Sequence, residues 1–196
     1  MVGLWGMLTS EVYRMRVIAG EFKGRPLKSV PTHKTRPTTD KVKEAVFHAI
    51  GPFFEGGKAL DLFAGSGGLG IEALSRGVDS CVFVDQQQKA IQTIYENIKL
   101  LHVNDRTEVF KTDANRAIKA AGKRSLTFDY IFLDPPYKKF SYKELMEALL
   151  DHELVADGAI IVCEHDASEK IPEEVGRLKR MKTDHYGSNI GVSIFE

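Results

Sequence analysis

A chain of 196 residues, 43% hydrophobic and 28% charged, has the make-up of one large globular domain whose core needs no staples. No apolar run approaches the roughly 18 residues of a membrane helix, and Cys81 and Cys163 lie in apolar runs as buried free thiols, which fits a cytoplasmic protein. Zero net charge conceals a split: Arg14 to Lys43 hold nine Lys/Arg against two acids, whereas Glu44 to Glu196 hold 18 against 24.

Residues 1–14 lack the apolar stretch and cleavage site of a secretory signal and are expected to form a disordered tail or extension. Residues 15–37 read as a basic arm. Arg16 to Leu27 form two short strands around a Gly-containing turn, and Val30 to Pro37 a proline-punctuated loop. A basic arm on an acidic body suits a polyanion contacted at one end. Arg16, Lys23, Arg25, Lys28, Arg36, Lys41 and Lys43 are the candidate phosphate contacts, against the plainer reading of a solvated charged face.

The main domain is expected over residues 38–196. Its first helix starts at Thr38 or Thr39, a hydroxyl cap ahead of Asp40, and presents Val42, Ala45, Val46, Ala49 and Ile50 on one face. From Ala59, strands alternate with helices. Strands are predicted at Ala59 to Ala64, Ser80 to Asp85, Thr107 to Thr112, Phe128 to Leu133 and Ala159 to Glu164. Between them fall helices over Gly68 to Ser75, through Ile91, Ile94, Tyr95, Ile98 and Leu101, over Ala114 to Ala120, and over Tyr142 to Leu150. Strands this continuously apolar are buried on both faces of a parallel sheet. Leu178 to Tyr186 and Ile190 to Phe195, joined by Gly187-Ser188-Asn189, close the sheet as an antiparallel hairpin. The expectation is an α/β fold: a seven-stranded, mostly parallel, doubly wound sheet with a small N-terminal β-hairpin.

Two stretches carry chemistry. In Asp61-Leu62-Phe63-Ala64-Gly65-Ser66-Gly67-Gly68-Leu69-Gly70, a strand runs through a glycine turn into a helix whose free N–H groups favour an anionic or nucleotide-like ligand. Gly65, Gly67, Gly70 and the later Asp85 also fit a dinucleotide fingerprint, so an NAD-dependent oxidoreductase is a rival reading. A hydrolase using Ser66 fails, because Ala64 stands where the first glycine of a nucleophile elbow belongs. The second stretch is Asp134-Pro135-Pro136-Tyr137, directly after the fourth strand. An acceptor carboxylate, a rigid carbonyl and an aromatic face within four residues suit a planar ring bearing an amine. Glu164-His165-Asp166 is read as a solvated strand end, and the six histidines show no zinc spacing. No metal is expected.

Together with Asp85, Asp113, the glycines of the basic hairpin and Thr35-Arg36-Pro37-Thr38-Thr39-Asp40, these stretches resemble the RsmD family from Met15 to Phe195. That family comprises Rossmann-like class I methyltransferases that use S-adenosylmethionine to methylate a guanine N2 in small-subunit (16S) ribosomal RNA. The resemblance implies a cofactor site at Asp61, Phe63, Ala64, Gly65, Ser66, Gly67, Gly68, Gly70, Asp85, Gln86, Asp113 and Ala114. Asp85 would bind the ribose diol and Asp113 the adenine amine. It implies catalysis by Asp134, Pro135, Pro136 and Tyr137, with Arg36 and Thr38 added to the RNA contacts. The implied partner is ribosomal RNA or the assembling small subunit, met by a cytoplasmic monomer. The residues alone leave guanine N2 and adenine N6 both open, as they do a decayed scaffold that only binds RNA.

Overall fold

The computed structural model describes residues 15–31, 39–136 and 139–196. In chain order the elements are α1 (Asp40–Ile50), β1 (Lys58–Asp61), α2 (Gly68–Ser75), β2 (Ser80–Asp85), α3 (Gln88–Leu101), β3 (Thr107–Lys111), α4 (Ala114–Lys123) and β4 (Phe128–Leu133). They continue with α5 (Tyr142–Asp151), β5 (Val155–Asp166), β6 (Glu174–Val175), β7 (Leu178–Tyr186) and β8 (Ile190–Phe195). The strands form one sheet in the order β3-β2-β1-β4-β5-β8-β7-β6. The first five run parallel, and β8, β7 and β6 are added antiparallel.

Alternation along each strand divides the core into two. Ala59, Phe83, Phe132 and Val162 face a first core with Val46 and Phe47 of α1, Ile71 and Leu74 of α2, and Ile94 and Ile98 of α3. Leu60, Val82, Ile131 and Ile161 face a second core with Ile118 of α4 and Leu145, Met146 and Leu149 of α5. The sheet is therefore wound on both faces, as the apolar strands require.

Three expectations are corrected. The sheet has eight strands rather than seven, because the two-residue β6 pairs Glu174 and Val175 with β7. The N-terminal hairpin is present: Arg16 bridges Pro26, Val17 N–H donates to the Arg25 carbonyl at 3.0 Å, Gly24 N–H to the Val17 carbonyl at 2.9 Å, and Leu27 N–H to the Met15 carbonyl at 2.7 Å. Its turn is also held on α2: Glu21 N–H donates to the Ser75 carbonyl at 2.7 Å, and Phe22 N–H to the Ser75 hydroxyl at 3.0 Å. Gly20 is needed for that approach, since a Cβ there would sit 1.8 Å from the Ser75 oxygen. In α1 the buried face is Val42, Lys43, Val46, Phe47 and Ile50, with Ala49 exposed. Tyr95, counted with the apolar side of α3, is 53% exposed.

Candidate active site

The glycine turn begins where β1 ends. Leu62 N–H donates to the Phe132 carbonyl of β4, and Ala64 N–H to the Val84 carbonyl of β2, so the turn is held from both neighbouring strands. Gly65 (φ 53°) and Gly67 (φ 80°) take left-handed conformations that start α2 without a side-chain cap. A Cβ on Gly65 would meet nothing within 4 Å, so the turn leaves open space above it. The Asp85 carboxylate at the end of β2 accepts from Gly65 N–H (2.9 Å) and Gln87 N–H (2.8 Å), fixing the turn against its neighbour strand. Gln86 beside it is exposed. Asp61 is buried and accepts from Gly70 N–H at 3.0 Å. Burial, reinforced by the nearby Asp85 charge, pushes its pKa up to about 7 against the lowering effect of that hydrogen bond.

Gly70 itself is a correction to the expected cofactor contacts. It faces the sheet, where a Cβ would lie 2.4 Å from the Phe83 ring and 2.7 Å from Cys81 Sγ, so it serves close helix–sheet packing. Gly68 opens α2 beside Met15. Ser66 is turned toward the N-terminal segment: its hydroxyl accepts from Val30 N–H at 2.9 Å.

Asp134, Pro135 and Pro136 follow β4, the immediate neighbour of β1. Strand adjacency thus sets the proline turn beside the glycine turn at the carboxyl edge of the sheet, the usual ligand position in an open α/β fold. Phe63 from one turn meets Phe140 beyond the other, ring centroids 5.0 Å apart and 61° between planes. Asp134 is exposed on its outer side. Protein crowded around its carboxyl, then the charges of Glu164 and Asp61, push its pKa above the carboxylate range. Water on the open side tempers the size of that shift, and the two like charges fix its direction. Tyr137 lies outside the described residues. At the outer strands, Asp113 caps α4 by accepting from Arg116 N–H at 3.0 Å, and Ala114 is buried behind it.

With this crevice in view, the chain compares closely with known proteins. Residues 15–194 match the family described as "Conserved hypothetical protein 95". The chain belongs to this family. It is the RsmD family. Over 93% of this chain and 98% of its relative, it is 51% identical to the Bacillus subtilis protein named "Putative rRNA methyltransferase YlbH". Over 81% of this chain and 78% of its relative, it is 30% identical to "Ribosomal RNA small subunit methyltransferase D" of Escherichia coli. A solved Streptococcus pyogenes structure, titled a conserved hypothetical protein, superposes with a TM-score of 0.75. It is 40% identical, and the match covers 79% of this chain and 94% of that one.

In this RsmD-family chain the basic residues separate into two kinds. Lys23 and Lys41 are exposed. Arg16 is exposed but pairs with Asp40 at 2.8 Å, Lys28 pairs with Glu96 at 2.8 Å, and Arg25 donates to the Leu100 carbonyl at 3.1 Å. Lys43 is a correction: 2% exposed, it is no phosphate contact. Its Nζ lies 3.4 Å from Glu72 and donates to the Arg16 carbonyl at 2.5 Å, and burial lowers its pKa. Arg36 and Thr38 lie outside the described residues.

Two polar residues escaped the sequence reading. Glu72, fully buried, accepts from Ile18 and Ala19 N–H and from Arg76 Nε, binding the arm to α2. Asn97, also fully buried, clasps both polar groups of Lys28 and donates to the Ser66 carbonyl at 3.0 Å, joining the arm to the glycine turn. Each is a polar residue at helical spacing among the apolar residues of a buried helix face, which is the signal that could have found it. Glu164, read from the sequence as part of a solvated strand end, lies near the end of β5 as a charge acting on Asp134.

Proposed function

We propose that this chain transfers a methyl group from S-adenosylmethionine to the exocyclic N2 of a guanine in small-subunit ribosomal RNA. The observation that carries the reading is the adjacency of β1 and β4, which sets Asp134-Pro135-Pro136 beside the glycine turn. The residues fit the cofactor. Open space above Gly65 leaves room for a ligand against the backbone, and the exposed Asp134 and half-buried Asp85, with Asp61 buried beneath, complement a cationic sulfonium and α-ammonium group. When bound, S-adenosylmethionine supplies an electrophilic methyl carbon whose bonding electrons return to sulfur.

The chain's part is to make a poor nucleophile reactive. The N2 lone pair is delocalised into the ring, so its geometry has to be changed before it can attack. Asp134 and the Pro135 carbonyl accept the two N2 hydrogens and turn the lone pair toward the methyl carbon. As the N–C bond forms, the amine sheds one proton. Asp134, with its raised pKa, is a stronger base for that proton than an ordinary carboxylate. Tyr137 stacks on the extruded base, an interaction worth about 1–3 kcal/mol. The exposed Lys23 and Lys41, with Arg16, Arg25, Lys28, Arg36 and Thr38, position RNA through its phosphates.

The names borne by the relatives support ribosomal RNA as substrate. Transfer of radiolabelled methyl from S-adenosylmethionine to unmodified small-subunit RNA or subunits tests the reading, with NADH binding measured alongside. Labelled N2-methylguanosine is the expected product; label on another nucleoside, or NADH binding without transfer, contradicts it.

A further inference from the structure

The established motifs leave Glu164 without a role, yet the fold holds it beside the reacting position. Leu133 pairs with Cys163 in the parallel β4–β5 ladder, so Asp134 and Glu164 are the next residues of adjacent strands. Phe132 and Val162, two residues earlier, both face the first core, and the alternation carries Asp134 and Glu164 toward that same face. Their side chains sense each other: Glu164 is the strongest charge acting on the Asp134 carboxyl.

The backbone at Glu164 is fixed from several sides. Its carbonyl accepts from the Tyr142 hydroxyl at the start of α5, and it pairs with Val192 of β8. The following His165 is buried, Nδ1 on the Asp166 carbonyl at 2.8 Å and Nε2 on Ser193 Oγ at 2.9 Å. A side chain on so constrained a support can discriminate between ligands rather than adapt to them.

We infer that the Glu164 carboxylate accepts the N1–H of the target base while Asp134 accepts from its N2 amine, so that guanine is admitted and adenine refused. This rests on the guanine reading given above. The chemistry is asymmetric. An ionised carboxylate only accepts hydrogen bonds. Guanine offers N1–H next to its reacting amine, whereas adenine and cytosine place a ring-nitrogen lone pair there. A lone pair facing Glu164 repels it and leaves both acceptors unpaired, and a site built around a hydrogen-bonding group rejects the analogue that lacks it far more strongly than an apolar pocket could. Two neighbouring carboxylates thus supply the base discrimination that Asp134 alone does not.

The test uses the full chain and E164Q on small-subunit RNA carrying either guanosine or 2-aminopurine riboside at the methylated position. 2-Aminopurine keeps the 2-amine but has a lone pair at N1. The wild-type chain should strongly prefer guanosine in kcat/KM. In E164Q, whose amide can donate to that lone pair, the preference should shrink by about tenfold or more, the worth of a hydrogen bond to a charged group. S-adenosylmethionine affinity and melting temperature should stay unchanged. E164D, which keeps the acceptor, should be slower while retaining the preference. An undiminished preference in E164Q overturns the inference, as does equal use of both bases by the wild type. Failure of the wild type to methylate guanosine at all overturns the guanine reading itself, and the inference with it.

Discussion

Two charged regions of this molecule are built on opposite terms. Beneath the N-terminal segment, Lys43, Glu72 and Arg76 are all but sealed from water and satisfied by one another and by backbone groups of residues 16–19. At the carboxyl edge of the sheet, Asp61, Asp134 and Glu164 are gathered as like charges, and carboxyl pKa values rise there. The first region spends its charges on fixing the arm to α2. The second keeps acceptors together at a cost that a ligand rich in donors or positive charge would relieve. Charge type in the sequence does not separate these uses; the partner does.

The contrast is broken most sharply by Asp134→Ala. Loss of a group acting at the reacting atoms should lower methyl transfer by about a thousandfold or more, with calorimetric S-adenosylmethionine affinity and melting temperature nearly unchanged. Glu72→Gln should do the reverse. Leaving Lys43 buried without its counter-charge should cost about 3–5 kcal/mol in urea unfolding, while the folded fraction retains its turnover.

The third prediction concerns pH. The folded-state pKa of Asp61 is raised from 3.8 to about 7, so its contribution to stability is present below the unfolded value. That contribution is lost as pH rises through about 7. The ligand-free protein should lose stability across this window, and Asp61→Asn should remove the slope. His165 acts in the opposite sense: burial lowers its pKa from 6.5, so its contribution is lost as pH falls below that value. Melting curves of the two proteins against pH separate them. The smallest effect separates Gly65 of the turn from Gly70 of the helix that follows it. Gly70→Ala should destabilise by about 1–3 kcal/mol through overpacking against Phe83. Gly65→Ala, with open space but positive φ, should cost only about 1 kcal/mol and weaken cofactor binding instead.

Much of the fold was legible because period and punctuation agree. The bounds of β2, β4, β7, β8 and α2 coincide with the apolar runs and their Gly, Ser and Asp boundaries. The arm was harder to read. Arg16 to Leu27 has the alternation of a hairpin and pairs as one, but its turn also takes partners in Ser75 and Glu72, 50 or more residues away, which no local pattern announces. Lys43 illustrates the same limit, since a lysine's type says nothing about a buried glutamate opposite it. In the crevice, Asp61 and Asp134 were visible because a strand end running into glycines or prolines announces itself, and Asp85 because it closes the next strand at fingerprint spacing from Gly65. Glu164, where the sequence ends the strand, lies inside a β5 that continues to Asp166, and only the lateral pairing with β4 reveals what it stands beside.

The most direct test of the account is nucleoside-resolved mass mapping of small-subunit ribosomal RNA from cells lacking this chain. One N2-methylguanosine should disappear, return on complementation with the wild-type chain, and stay absent with Asp134→Ala. An unchanged N2-methylguanosine inventory in the deletion strain would contradict the account.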